Sequence, residues 1–156
     1  MAEASIRTLT VGTDDGLCNR LRALLSGMVL AEATGRRFTM LWPRTPACSA
    51  AFTDLFASPW PVREVAAQEV KILRRTFGHW HPAQGPDLLT ADGEALRFSS
   101  YSWLLVPHRF PAHESLMQRY EELLAAMRPA SDIQERMDAL HRDAFCSRVA
   151  RFSMRR

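Results

Sequence analysis

The stretch 14-DDGLCNRLRALLSG-27 sets two acids, a glycine, an asparagine and two arginines at the mouth of an apolar run. Each residue type has its own chemistry. Asn19 can donate and accept hydrogen bonds. Arg20 and Arg22 can neutralise an anion, and a guanidinium meets a phosphate through two parallel bonds. Gly16 lets a ligand or a backbone come close. Asp14 and Asp15 can face an acceptor hydroxyl or cap the helix that follows. The first turn of that helix offers unpaired N–H groups and a positive dipole end, which suits phosphate. The pattern is neither the G-x-G-x-x-G of dinucleotide folds nor the G-x-x-x-x-G-K-[ST] of a phosphate loop. As a bare pattern, G-x-x-N-R leaves two possibilities open. Asn19 and the arginines line a ligand site, or Asn19 braces the turn and the arginines face solvent.

Other chemistry-bearing residues are sparser. Cys18, Cys48 and Cys146 are odd in number and widely spaced, so they fit no disulfide framework and no zinc site. The segment 79-HWH-81 can put two imidazoles on one face of a strand as metal ligands, but no third ligand stands near in sequence. His108 and His113 are expected in a surface loop. Arg36 and Arg37 are expected at the solvated end of the first helix, where its dipole favours them.

The elements that must position the opening stretch are readable. Residues 7-RTLTVG-12 predict a strand, and 13-TDDG-16 a loop. Leu21, Leu24, Leu25 and Met28 recur at helical spacing, with Gly35 as the stop. The run 38-FTMLW-42, closed by Pro43, predicts a strand apolar on both faces, as in the interior of a parallel sheet. Strand, loop, helix and strand make a right-handed βαβ unit.

Beyond it, 52-FTDLF-56 predicts a helical turn packed by two phenylalanines, and 62-VREV-65 and 70-VKIL-73 predict short strands. The glycines and prolines across 76–97 predict mostly loop, and 101-YSWLLV-106 predicts a further strand. Leu116, Tyr120, Leu123, Leu124 and Met127 predict one helix face, ended by Pro129. Ser131 and Gln134 form a capping-box pattern opening a second helix, with Ile133, Met137, Leu140 and Ala144 on its inner side. The tail 148-RVARFSMRR-156 alternates like a strand. Alternating strands and helices argue for an α/β layered domain.

Composition restricts the function classes. The 156 residues suffice for one domain, and no apolar run reaches the roughly 18 residues of a membrane span. The N-terminus lacks a basic segment followed by an apolar core, so a cytoplasmic protein is expected. The net charge is +3, and 19 of the 20 basic residues are arginine. No aromatic-interleaved basic stripe accompanies them, which argues against a nucleic-acid partner.

Residues 16–56 together, GLCNRLRALLSGMVLAEATGRRFTMLWPRTPACSAAFTDLF, resemble the N-terminal segment of the fucosyltransferase superfamily. That superfamily includes nodulation-type and core α1,6-fucosyltransferases and protein O-fucosyltransferases. Its members open with a strand, a G-[LG]-x-N-[RQ] turn, a helix, a strand ending in Trp-Pro, and an FTDLF-like segment. Further on, 127-MRPASDIQERMDALHRDAF-145 is similar to the family's L-x-P-x-x-x-I lead-in, and 149–156 to its strand ending in H-[IV]-R-R-x-D. Ser153 stands where that motif has histidine, and the sequence stops before the aspartate.

The resemblance implies an open, mostly parallel Rossmann-like sheet with flanking helices, like the N-terminal half of a GT-B glycosyltransferase. It implies that residues 1–147 form that domain and 148–156 the first strand of a C-terminal donor-binding domain, so the chain is expected to be incomplete and inactive alone. The implied reaction is inverting transfer of fucose or a related sugar from a GDP-sugar to a glycan or protein acceptor, with no obligatory metal. Charge developing on the departing diphosphate would be met by arginines and backbone N–H groups. Asn19 and Arg20 are then the cleft residues of the turn. Gly16 and Asn19 serve the donor, and Arg155 and Arg156 take its phosphates. An exposed surface where another domain docks is expected to favour association. Two other readings remain: a non-catalytic α/β binding domain on the same fold, and a transferase of a different sugar.

Overall fold

The computed structural model describes residues 6–139. The predicted tail strand, the inner positions Leu140 and Ala144, Cys146, Arg155 and Arg156 lie outside them. Four strands, β1 (Thr8–Gly12), β2 (Arg37–Pro43), β3 (Val62–Val65) and β4 (Ala95–Ser99), form one sheet in the order β3-β2-β1-β4. Every pairing is parallel. Parallel neighbours need crossovers, and helices supply them. Helix α1 (Leu17–Thr34) joins β1 to β2, and the single turn α2 (Phe52–Leu55) lies between β2 and β3. Helix α3 (Ala67–Phe77) joins β3 to β4. A 3-10 turn (Pro111–Leu116) leads into α4 (Met117–Ala126), and residues 131–139 are helical. The molecule is therefore an open, Rossmann-like α/β fold with helices on both faces of a parallel sheet.

The two faces carry different cores. Leu9, Val11, Phe38, Met40, Trp42 and Phe98 point to the face covered by α1, α2 and α4. Leu41 points the other way and meets Val65, Val70 and Leu73 under α3. Helix α1 is buried around most of its girth because it lies between the sheet and α4. Its closest approach needs Gly27, where a Cβ would stand 2.5 Å from the Phe38 ring. It stops at Gly35 as expected, with φ 62 and the glycine N–H returned to the last turn.

Several expectations are corrected. Residues 70–73 lie within α3 and form no strand. Val70 and Leu73 fall one turn apart on the buried face, and the step from β3 to the far side of β1 requires a crossover helix. β4 begins within the stretch expected to be mostly loop and runs past its end: Leu96 and Phe98 face the core while Arg97 faces outward. Residues 101–106 form no strand. Leu104, Leu105 and Val106 still enter the core, but side chains take their backbone donors: Leu104 N–H donates to Ser26 Oγ at 2.9 Å and Val106 N–H to His113 Nδ1 at 2.9 Å.

In α4, Tyr120 and Leu123 are buried as expected, whereas Leu124 is 47% exposed. Gln134 does not reach back toward Ser131, since its amide donates to Asp138 instead. Met137, expected on the inner side of that helix, is exposed.

Two charged or polar groups expected at the surface are interior. His113 is fully buried, with Nδ1 accepting from Val106 N–H and Nε2 2.8 Å from Asp87. A backbone N–H can only donate, so the ring is neutral with its proton on Nε2, donated to Asp87. Arg36 is buried beside the 91–93 loop and donates to the carbonyls of Ala91 and Gly93, both at 2.8 Å. Burial pulls its guanidinium below the ordinary arginine value, Arg7 adds to that, and Asp92 opposes it. Arg37, by contrast, is exposed as expected.

Candidate functional site

The strand order places a topological switch between β1 and β4. From β1 the chain moves outward through β2 to β3, then returns across the sheet to the opposite side of β1. The carboxyl ends of β1 and β4 therefore feed loops that part to either side, and ligands of open α/β sheets bind in that crevice. Here it is a cleft of about 720 Å³ lined by Asp14, Asp15, Asn19, Arg74, His79 and Tyr101. A neighbouring groove that shares His79 and a second one against α3 have more apolar walls, and neither gathers so many functional groups.

The turn after β1 supplies one wall. Gly16 is the N-cap of α1, at φ −66 and ψ 166, and no side chain caps the helix. The expected capping by Asp14 or Asp15 is thus absent, and both carboxylates go elsewhere. Asp14 Oδ1 pairs with Arg74 Nη2 of α3 at 2.5 Å. Asp15 Oδ2 receives only a long bond, 3.5 Å, from Asn19 Nδ2. Adjacent carboxylates so have different states: one is neutralised by a guanidinium, the other stands open to the cleft. Asn19 Oδ1 accepts from Arg22 at 3.2 Å, which fixes which way the amide points. Gly16 has an ordinary extended backbone, and a Cβ there would come no nearer than 3.8 Å to Ala47 O. No close approach within the protein demands a glycine at that position.

Arg20 is not where an anion could reach it. It is 0% exposed, packed 5.0 Å over the Trp42 ring. Its Nε donates to Asp15 O at 2.6 Å, Nη2 to Thr45 Oγ1 at 2.9 Å, and Nη1 to Pro43 O. Thr45 Oγ1 in turn donates to Asp14 O at 3.1 Å. Arg20 therefore ties the β1–α1 turn to the end of β2 and holds Asp14 and Asp15 in place. Burial lowers its pKa from the ordinary arginine value, while Cys48, Asp14 and Asp15 raise it. The expected direct anion contact by Arg20 gives way to a positioning role, because its three-methylene stem turns inward and its guanidinium packs over Trp42.

The other wall comes from α3 and β4. Arg74 Nε donates to Ser99 Oγ at 3.2 Å while its Nη2 holds Asp14, so one side chain spans α3, β4 and the turn. His79 follows α3 in a parallel bridge to Ser99, with Nδ1 2.8 Å from Ser99 Oγ. The alternation of 79-HWH-81 survives: Trp80 is buried, while both imidazoles meet Tyr101, at 4.5 Å and 6.0 Å between ring centres. Among the described residues no group of three or more His, Cys, Asp or Glu could hold a metal ion. Among the same residues, no helix is long and apolar enough to cross a membrane. Cys18 and Cys48 are free thiols.

The structure thus brings together Asn19 and the Asp14–Asp15 pair from the turn, and adds Arg74, His79, Ser99 and Tyr101. Of these last four only His79 stands out in the sequence, within 79-HWH-81, because segments far from the turn in the chain carry them. Arg74 lies 60 positions from its partner Asp14. Compared with protein-family models, curated proteins and solved structures, the chain matches none.

Proposed function

We propose that this chain is a GDP-sugar-dependent glycosyltransferase domain of the fucosyltransferase type, and that the cleft receives the hydroxyl-rich part of its reactants. The observation that carries the reading is the position of the turn: the segment with the family resemblance forms one wall of a polar cleft at the switch point. Carboxylate, amide, imidazole and an exposed aromatic ring are the groups that recognise a sugar through hydroxyls and a ring face. The uncapped start of α1 leaves N–H groups beside the cleft, which supports an approach by the donor phosphates. The diphosphate contacts of Arg155 and Arg156 belong to this proposal. So does association through the α3 face, supported by Ile72 and Phe77, which are 53% and 48% exposed.

A non-catalytic binding domain is the second reading, and one observation favours it. Arg20, the inner arginine of the turn, is bonded wholly to the protein itself. Calorimetric titration of the full chain with GDP and GDP-fucose separates the two. The transferase reading expects saturable binding that weakens in Asn19→Ala and Arg74→Ala. Folded protein that binds neither ligand overturns it, and preference for another GDP-sugar replaces fucose as the transferred group.

A further inference from the structure

We propose that His79 is the proton acceptor of the cleft, a neutral imidazole that presents a bare Nε2 to a bound hydroxyl. The inference begins with Ser99, whose hydroxyl is fully buried and has three neighbours. Arg74 Nε–H can only donate, so Ser99 Oγ accepts from it at 3.2 Å. The Gly78 carbonyl, 3.4 Å away, can accept the Ser99 hydroxyl proton. The second lone pair of Oγ then faces His79 Nδ1 at 2.8 Å, and it is satisfied when Nδ1 carries the proton. A proton on Nδ1 of a neutral ring leaves Nε2 as a lone pair. Among the described residues nothing bonds Nε2, and His79 itself is exposed at the cleft.

The groups around the ring come from every neighbouring element. Arg74 approaches from α3, Asp14 and Asp15 from the β1–α1 turn, and His81 from the same loop, while Tyr101 stacks on the ring at 26° between planes. Burial lowers the His79 pKa, Arg74 and His81 lower it further, and the two aspartates oppose them. Such a base, pinned through its far nitrogen by a third group, has the arrangement that general-base catalysis requires.

The catalytic role rests on the transferase reading above. In that reaction the hydroxyl proton of the acceptor passes to Nε2, giving an imidazolium. The oxygen forms a bond to the anomeric carbon of the nucleoside-diphosphate sugar. The bond from that carbon to the diphosphate oxygen breaks, and its electron pair leaves with the nucleotide. The imidazolium then returns its proton to solvent.

Imidazole ¹⁵N NMR of the full chain tests the assignment, with His79→Gln identifying the signal. At pH 7 the expected pattern is a neutral ring, protonated on Nδ1, titrating with a midpoint shifted below that of N-acetylhistidine. Ser99→Ala should lose the preference for that tautomer. Diethyl pyrocarbonate gives a chemical readout: at pH 6 His79 should be modified faster than N-acetylhistidine. A proton on Nε2 at pH 7, or an unreactive His79, overturns the proposal. A bare, reactive Nε2 in a folded chain that binds neither GDP nor GDP-fucose overturns the transferase reading instead, and leaves His79 as the base for another ligand hydroxyl.

Discussion

Replacing Arg20 should unfold the turn from the inside. Its guanidinium is 0% exposed and makes three hydrogen bonds, to Asp15 O, Pro43 O and Thr45 Oγ1. Bonds from a charged donor contribute about 1.5–3 kcal/mol each. Alanine would forfeit all three and leave two carbonyls short of partners beside a cavity over Trp42. Against that, alanine removes a charge from a site where holding it costs several kcal/mol. The difference is about 3–5 kcal/mol, the usual penalty for breaking a buried charged contact. With a urea slope of about 2 kcal/mol per molar, the midpoint of unfolding should fall by about 2 M. Arg20→Lys should rescue little, because a single ammonium cannot reach three acceptors arranged for a fork. Urea unfolding followed by tryptophan fluorescence reads both variants, since Trp42 lies under the guanidinium. The control is Arg119→Ala, whose exposed contacts with Glu32 and Glu122 should leave the midpoint unchanged. A loss below ~1 kcal/mol for Arg20→Ala, or full stability in Arg20→Lys, would refute the positioning role.

Other expectations are simpler. Gly27→Ala gains helix propensity but drives a Cβ into Phe38, so it should destabilise by about 1–3 kcal/mol in the same unfolding assay. His113→Leu strands the Val106 N–H and Asp87 and should cost about 1–3 kcal/mol. His79 should make folding stability fall as pH drops: its folded pKa is lowered, so the unfolded chain takes up the proton first, below about pH 6.5. That contribution is complete above this pH, is lost progressively down to the folded value, and should vanish in His79→Gln when unfolding is measured across the range. Arg74→Ala should move the His79 NMR midpoint upward, because Arg74 holds it down.

The first half of the fold was legible because its signals are local. Leu21, Leu24, Leu25 and Met28 show a helix by spacing, and 38-FTMLW-42 shows a buried strand by being apolar on both faces. The later half depends on contacts that sequence does not display. Val70-Lys71-Ile72-Leu73 has the composition of a strand, and only the crossover from β3 to β4 makes it helical. Leu104 to Val106 looks like a strand because it is apolar, yet Ser26 and His113 satisfy its backbone where a ladder would. The turn was legible in part. Asp15 and Asn19 do face the cleft, but that Asp14 is taken by Arg74 and Arg20 by three oxygens follows from residues up to 60 positions away. The burial of His113 is hidden for the same reason: nothing near it in sequence announces Asp87.

The most direct test of the account is amide ¹⁵N NMR mapping of the full chain with GDP-fucose and with a methyl fucoside. The account predicts saturable shifts confined to residues 13–19, 74–79 and 99–101 around the switch-point cleft. Shifts confined to residues 67–73 of α3, or no shifts in a folded chain, would contradict it.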